Sequence, residues 1–432
     1  MLTSLFTAVS GMNANGTALS VIGDNVANMN THGFKASRAY FGDILSQSLG
    51  TSQIGRGVAV SSVKPTFTQG TFENSTSVLD LAIGGDGLFI VSDANGTFYT
   101  RAGQFALDKD GNIVNPNGLR LQGYLFSATS LSSAPVINSI GDINLSTLNS
   151  PPNPTTTVEI SANLDSRQSV PAAFDVTNPN NTSNFSTSIT VYDSLGNAHV
   201  VNVYFRKDTE ATTGNTWEWF AVVDASASLS GSTEIQAQGT LDFDNNGALD
   251  VESALTYPLA SGGFDFAGGA ASGQAIDFNF GTSITTDGGT GLDGTTQFGS
   301  SSATIFQNQD GYSSGSLRSI NIDQDGTITG IFTNGQTRAI GQIALAKFVS
   351  PTELTKMGKN LFAESSGSGQ PIITAPGTSG TGQVLSSTLE LSNVDLAEEF
   401  VKMIISQRGY QANSRIVSKS DELMAELVNL TR

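Results

Sequence analysis

The sequence predicts a mainly β, elongated, multidomain chain with α-helices at its two ends, and three observations carry that prediction. Residues 2 to 26 repeat apolar side chains every seven positions, and the last ~37 residues carry apolar stripes at helical spacing. The long middle is made of short β-branched or aromatic runs separated by turn signals. A chain of 432 residues, about three times a domain of ~150, has room for two or three cores. Charged residues make up 13%, about half the usual ~25%, while 38% hydrophobic residues and 24 Phe suffice for packed interiors.

The same composition excludes whole classes of function. With 20 Lys and Arg against 38 Asp and Glu, the net charge is -18, which phosphate backbones and anionic lipid repel. No nucleic-acid partner and no membrane insertion are expected. There is no Cys, so thiol catalysis, disulfides and thiolate metal sites are impossible. No run reaches the ~18 to 20 apolar residues that span a bilayer. The uncharged first 23 residues are interrupted by Asn13, Asn15, Thr17 and Ser20, unlike a signal peptide. If the chain is exported, the route does without a cleaved signal.

The first element is a helix at the N-terminus. Leu5, Met12, Leu19 and Val26 recur at heptad spacing, with Leu2, Phe6 and Val9 between them. Gly11, Gly16 and Gly23 each cost up to ~1 kcal/mol against Ala, so the helix needs a partner to become ordered. The last element is that partner. Asn393 is placed to cap a helix whose first turn holds Asp395, Glu398 and Glu399. Projected at ~100° per residue, Val401, Ile405, Ala412, Ile416, Leu423, Leu427 and Leu430 fall within about 80°. Leu396, Met403, Tyr410, Val417, Met424 and Val428 form a second arc on the opposite side. One helical partner cannot cover two opposed stripes. A helix apolar on two sides is commonly buried in its own globule, but these helices lie at the termini with no other long helical pattern to pack on. Packing between neighbouring copies of the chain fits better.

The middle reads as strands: 88–91, 189–192, 200–205, 217–223 and 343–349, punctuated by Asp86-Gly87, Asp110-Gly111, Gly196-Asn197, Asn246-Gly247 and Asp325-Gly326. Pro151, Pro152 and Pro154 mark a linker, and a Gly, Ser and Thr-rich stretch over 281–302 mirrors it. An inserted β domain over 149–302 is therefore expected. The blocks 76–148 and 303–361 become halves of one split β domain, 31–75 and 362–393 connecting segments, and 1–30 and 394–432 the terminal helices. That nesting places both termini at one end of a radial spoke.

Three segments carry a resemblance. Residues 25–38, through Asn28, Asn30, Thr31, Gly33, Phe34 and Lys35, resemble the N-terminal signature of the bacterial flagellar rod and hook family of axial proteins. Asn, Thr and Gly end a helix there, and Gly33 suits a positive φ at such a stop. Residues 393–415, including Gln407-Arg408-Gly409-Tyr410-Gln411-Ala412-Asn413, are similar to the same family's C-terminal signature. Residues 79–89, 99–105 and 121–124 resemble the β domain its members share, and 190–199 resembles the outer domain of the hook members, which rod subunits lack. The resemblance covers about four-fifths of the chain and is weakest over 225–300.

This resemblance implies a structural, non-enzymatic subunit that polymerises with many copies of itself into a curved, flexible tube transmitting torque from rod to filament. It implies location in the extracellular hook and basal body, export through the flagellar type III apparatus, and as partners a distal rod protein, a hook cap protein and hook-filament junction proteins. The terminal helices, paired in a coiled-coil-like manner, would form the inner tube layer, with the split domain and then the insert outside it. The assembly residues would be Leu5, Met12, Leu19, Val26, Asn28, Asn30, Thr31, Gly33 and Phe34, with Leu396, Val401, Met403, Ile405, Tyr410, Ile416, Val417, Leu423 and Leu427.

Chemical sites are weaker readings. His32 and His199 are the two histidines, in a helix-exit loop and a turn region, and read as ordinary polar positions. Residues 289–294 satisfy G-x-G-x-x-G but lie in a glycine-rich tract with neither strand before nor helix after. Asp242-Phe243-Asp244-Asn245-Asn246-Gly247 copies the opening of a calcium loop, yet the twelfth position is Ser253, with Glu252 one place early, and a hairpin turn explains it better. No metal, cofactor or catalytic residue is assigned. The rival readings are a distal rod or hook-associated junction subunit, a secreted β-rich calcium-binding adhesin, and an extracellular glycosidase.

Overall fold

A computed structural model describes residues 2–44, 56–94, 96–126, 140–146, 149–208 and 215–430, without the side chains of 2, 3 and 427–430. The chain is mainly β with a helix at each end, Leu2–Ala27 and Leu396–Leu430. It divides into two compact units, Met1–Leu148 with Arg318–Ile331 and Thr337–Arg432, and Asn149–Leu317 with Phe332–Gln336.

In the first unit, strands from before and after the insertion interleave in one antiparallel sheet. Its order runs Thr355–Gly358, Leu361–Ala363, Gly96–Thr100, Leu88–Asp93, Arg120–Leu125, Thr337–Ile343. Leu88, Ile90, Tyr99, Ala344, Ala346, Phe348 and Phe362 pack into its core. Outside that sheet the two arms of the chain pair directly: Phe72–Asn74 with Thr388–Glu390, and Leu81–Gly84 with Gln383–Ser386. Ser37–Asp43 and Val58–Pro65 form a separate antiparallel hairpin.

The second unit joins a five-stranded antiparallel meander, Phe185–Tyr192 to Leu249–Glu252 in chain order, to a three-stranded sheet centred on Thr157–Asn163. Alternate residues of Thr216–Val223 face inward, so Trp217, Trp219 and Ala221 meet Val158, Ile160, Phe205, Phe278 and Phe280 in one core. The return crossing falls later than expected. Ala303–Gln309 pairs with Thr157–Asn163 inside this unit rather than opening the second half of the split domain. The Ser/Thr-rich stretch before it is no linker either: Ser283 and Thr295 are fully buried, and Thr295 Oγ1 donates to the Ile160 carbonyl at 3.1 Å. The same hydroxyl accepts from the buried Ala162 nitrogen at 3.3 Å, a role that composition alone does not reveal.

One turn chemistry recurs. Asp108, Asp193 and Asp244 each accept hydrogen bonds from the backbone N–H groups two and four residues on. Gly111, Gly196 and Gly247 then take φ of 78°, 83° and 85°. Asp244 is the residue that copied a calcium ligand, and its Oδ1 is spent on the hairpin, at 2.9 Å from the Asn246 nitrogen and 2.8 Å from that of Ala248.

Glu252 is the exception among these carboxylates. Burial, with Asp287 and Asp277 facing it, pushes its pKa up from 4.5 to about 7, and Oε1 is buried without a partner. A proton bound more tightly in the folded state stabilises that state fully below the unfolded pKa, and this stabilisation is lost as pH rises through the folded pKa. Between pH 4.5 and 7 the second unit is therefore expected to lose up to about 3 kcal/mol from this group. Both tryptophans lie in this unit, so their fluorescence reads it selectively. Glu252→Gln should melt higher than the parent at pH above 7 and alike near pH 4.5; equal melting at both would contradict the assignment.

Candidate assembly site

The terminal helices pack antiparallel, and glycine sets how closely. A Cβ added to Gly11 would lie 2.7 Å from Asn413 Nδ2, and one added to Gly409 would lie 2.9 Å from Asn15 Oδ1. Each Asn donates to the carbonyl four residues back on its own helix, Asn15 to Gly11 at 2.7 Å and Asn413 to Gly409 at 3.0 Å. The seam is thus two reciprocal Gly-x-x-x-Asn sequences, each asparagine lying over the other helix's glycine. A third rung joins Asn25 Nδ2 to Glu399 Oε2 at 3.1 Å, with both residues buried.

Small residues, not the heptad leucines, form the centre of this seam. Ala8, Gly11, Ala14, Ala18 and Ile22 are buried along the N-terminal helix, while Leu5, Met12, Leu19 and Val26 are half-buried. On the C-terminal helix Leu396, Met403 and Val417 are half-buried and Tyr410 is 40% exposed. The other stripe is left uncovered by the described residues: Val401 is 57% exposed, Ile405 66%, Ile416 46% and Leu423 50%. Phe400 and Ile404 widen it, and Phe6 is exposed on the N-terminal helix. The side chain of Leu427 lies outside the described residues.

The N-terminal signature is an anchor. The helix ends at Ala27, Asn28 Nδ2 donates back to the Asp24 carbonyl at 2.9 Å, and Thr31 Oγ1 donates to Asn28 Oδ1 at 3.2 Å. Asn30 is exposed. Gly33 takes φ +66°, and a Cβ there would sit 2.4 Å from the Ala102 nitrogen. This turn delivers buried Phe34 and Lys35 into the first unit.

Lys35 joins a buried ion triad that residue patterns did not disclose. Its Nζ lies 2.7 Å from Glu390 Oε1, and Arg101 Nε lies 2.6 Å from Glu390 Oε2; none of the three side chains is more than 5% exposed. Lys35 also donates to the Thr68 carbonyl, and Arg101 NH2 to the carbonyls of Ile83 and Gly85. Burial pulls the Lys35 pKa down against the pull of Glu390. One carboxylate thus binds together both arms of the chain and the β sheet.

Two expectations change, one here and one in the second unit. Asn393 does not cap the C-terminal helix; Asp395 does, its Oδ1 accepting from the Ala397 nitrogen at 2.8 Å and the Glu398 nitrogen at 3.2 Å. Asn393 instead accepts from the Ala36 nitrogen and donates to the Thr66 carbonyl, both at 2.8 Å, clamping the two connecting segments. His199 is on a strand rather than in a turn, buried against Asp193 at 2.9 Å and stacked on Phe266. His32 lies 3.3 Å from Gln104 and 3.6 Å from Glu73. Among the described residues no group of three or more His, Asp or Glu could hold a metal ion, and no helix is long and apolar enough to cross a membrane.

Comparison with known proteins places these parts. Residues 5–35 match a family model described as flagella basal body rod protein, and 82–166 one described as flagellar hook protein FlgE/F/G D1 domain. Residues 163–312 match the flagellar basal body protein FlaE D2 domain, and 385–430 the flagellar basal body rod FlgEFG protein C-terminal model. The chain is 36% identical to the flagellar hook protein FlgE of Borreliella burgdorferi, covering 100% of both chains. It is 34% identical to that of Treponema pallidum, again over 100% of both. With that of Salmonella typhimurium it shares 36% identity over 98% of each.

Proposed function

The chain belongs to the flagellar hook protein family, and from that premise we propose that its copies polymerise through their terminal helices into the curved, flexible tube of the bacterial flagellar hook. It is a structural subunit of the hook, a component of the hook and basal body that serves motility. The observation that carries the assembly reading is the open stripe Val401, Ile405, Ile416 and Leu423, which the chain's own N-terminal helix leaves in water. A stripe of this kind on a helix already packed on its other side is a surface for another helix.

The tube transmits torque while bending, and two kinds of contact serve the two demands. Continuous apolar helix seams hold neighbours against twist, whereas low-charge Ser, Thr and Asn surfaces on the β units shift register at small energetic cost. The N-terminal helix is suited to ordering late. A Cβ at Gly16 or Gly23 would meet no atom within 4 Å, so the chain's own fold does not require these helix-weakening glycines. A segment that orders on assembly passes readily through a narrow export channel, which fits delivery to the cell exterior by the flagellar type III apparatus and contact with rod, cap and junction proteins.

Ile405→Asp tests the assembly reading. Ile405 is 66% exposed, so the substitution should leave the melting of the unassembled chain within about 0.5 kcal/mol and abolish sedimentable polymer. Polymer formed at the parent's concentration would contradict it.

A further inference from the structure

Beside the end of the N-terminal helix the first unit forms a half-open pocket of about 200 Å³, its lining including Asp24, Asn28, Lys35, Lys356, Lys359 and Asn360. Lys35 is held by Glu390, which it shares with Arg101. That leaves Lys356 and Lys359 against Asp24, an excess of cation in a chain of net charge -18. Lys356 is oriented into place by its ammonium on Ser37 Oγ at 2.6 Å and over the Phe34 ring at 5.0 Å.

The placement of Lys359 is costly. Gly358, Lys359 and Asn360 have φ of 81°, 53° and 58°, a tight turn between Thr355–Gly358 and Leu361–Ala363 whose central positions favour Gly or Asn. Asn360 is explained by its bonds: it donates to the His32 carbonyl at 3.0 Å and accepts at its own carbonyl from Thr100 Oγ1 at 2.8 Å. Lys359 has no such explanation, for among the described residues none hydrogen-bonds or ion-pairs with its ammonium. Left-handed backbone at a lysine whose ammonium bonds to none of the described residues is the pattern of strain kept for a binding role.

We propose that this pocket is a carboxylate socket, which receives an acidic side chain of a second copy of this chain and in which Lys359 is the specificity-determining cation. The inference rests on the assembly reading above. The occupant follows from charge: in such a polymer every neighbour carries 38 Asp and Glu against 20 Lys and Arg, and a pocket with an excess of cation is the complementary feature.

The decisive variant is Lys359→Asn, because asparagine suits the turn while removing the charge. The unassembled variant should melt about 1–3 °C higher than the parent, yet need about fivefold more protein to assemble and lose part of the parent's salt sensitivity. Lys359→Arg should assemble like the parent. Unchanged assembly of Lys359→Asn overturns the proposal, as does a lower melting temperature, which would make the lysine structural. Stabilisation of the unassembled parent by inorganic phosphate, lost in Lys359→Asn, would assign the pocket to a free anion and also overturn it. A parent that never assembles would instead defeat the reading beneath, and the socket with it.

Discussion

Glu390→Gln is expected to destabilise the first unit by about 3–5 kcal/mol while leaving the second unit's melting unchanged. Glu390 is fully buried and is the one anion between Lys35 and Arg101, at 2.7 and 2.6 Å. Glutamine keeps the volume but leaves two cations in a dry site, one of them with its charged form already disfavoured by burial. The opposite deletion is milder. The triad carries one cation more than it needs, so Lys35→Met leaves a balanced Arg101–Glu390 pair and should cost about 1–2 kcal/mol. Helical circular dichroism follows the first unit, since both long helices belong to it, and tryptophan fluorescence follows the second. Equal losses from the two substitutions would contradict the charge balance.

Gly33→Ala should cost nearly as much, about 3 kcal/mol or more, for two reasons that a control separates. Alanine is strained at φ +66°, and its Cβ would press within 2.4 Å of the Ala102 nitrogen and 2.6 Å of the Arg101 carbonyl carbon, backbone that cannot swing aside. Gly118 has a similar φ of 81° but open space around it, so Gly118→Ala should show the strain alone, about 1 kcal/mol. A Gly33→Ala loss no larger than that of Gly118→Ala would mean the close approach to Ala102 is not what the signature glycine secures.

Much of this fold was legible because its signals are local. Terminal helices follow from apolar periodicity, strands from alternation, and turns from Asp and Gly at fixed spacing, as Asp193 and Gly196 show. The uncovered stripe of the C-terminal helix was legible because two opposed arcs exceed what one partner covers. What was not legible depends on partners far apart in the chain. Glu390 lies 355 residues from Lys35, and nothing in its own neighbourhood distinguishes it from a surface glutamate. The seam went to Leu5, Met12, Leu19 and Val26 because large apolar residues dominate a periodicity, whereas Gly11 and Asn413 reveal their role only when the helices are seen in register. Asn393 looked like a cap because it precedes an acidic turn, but Asp395 is nearer the first helical residue and takes that place. The Ser/Thr-rich stretch read as a linker because composition does not show which hydroxyls find buried carbonyls.

The most direct test is electron microscopy of the intact chain beside one lacking 394–432, each raised through the same concentrations, with tryptophan fluorescence confirming a folded second unit in both. Tubes from the intact chain and dispersed single molecules from the shortened one are predicted. Intact chains that stay single at every concentration, or shortened chains that still build tubes, would contradict the claim that the uncovered helix stripe is closed by neighbouring copies.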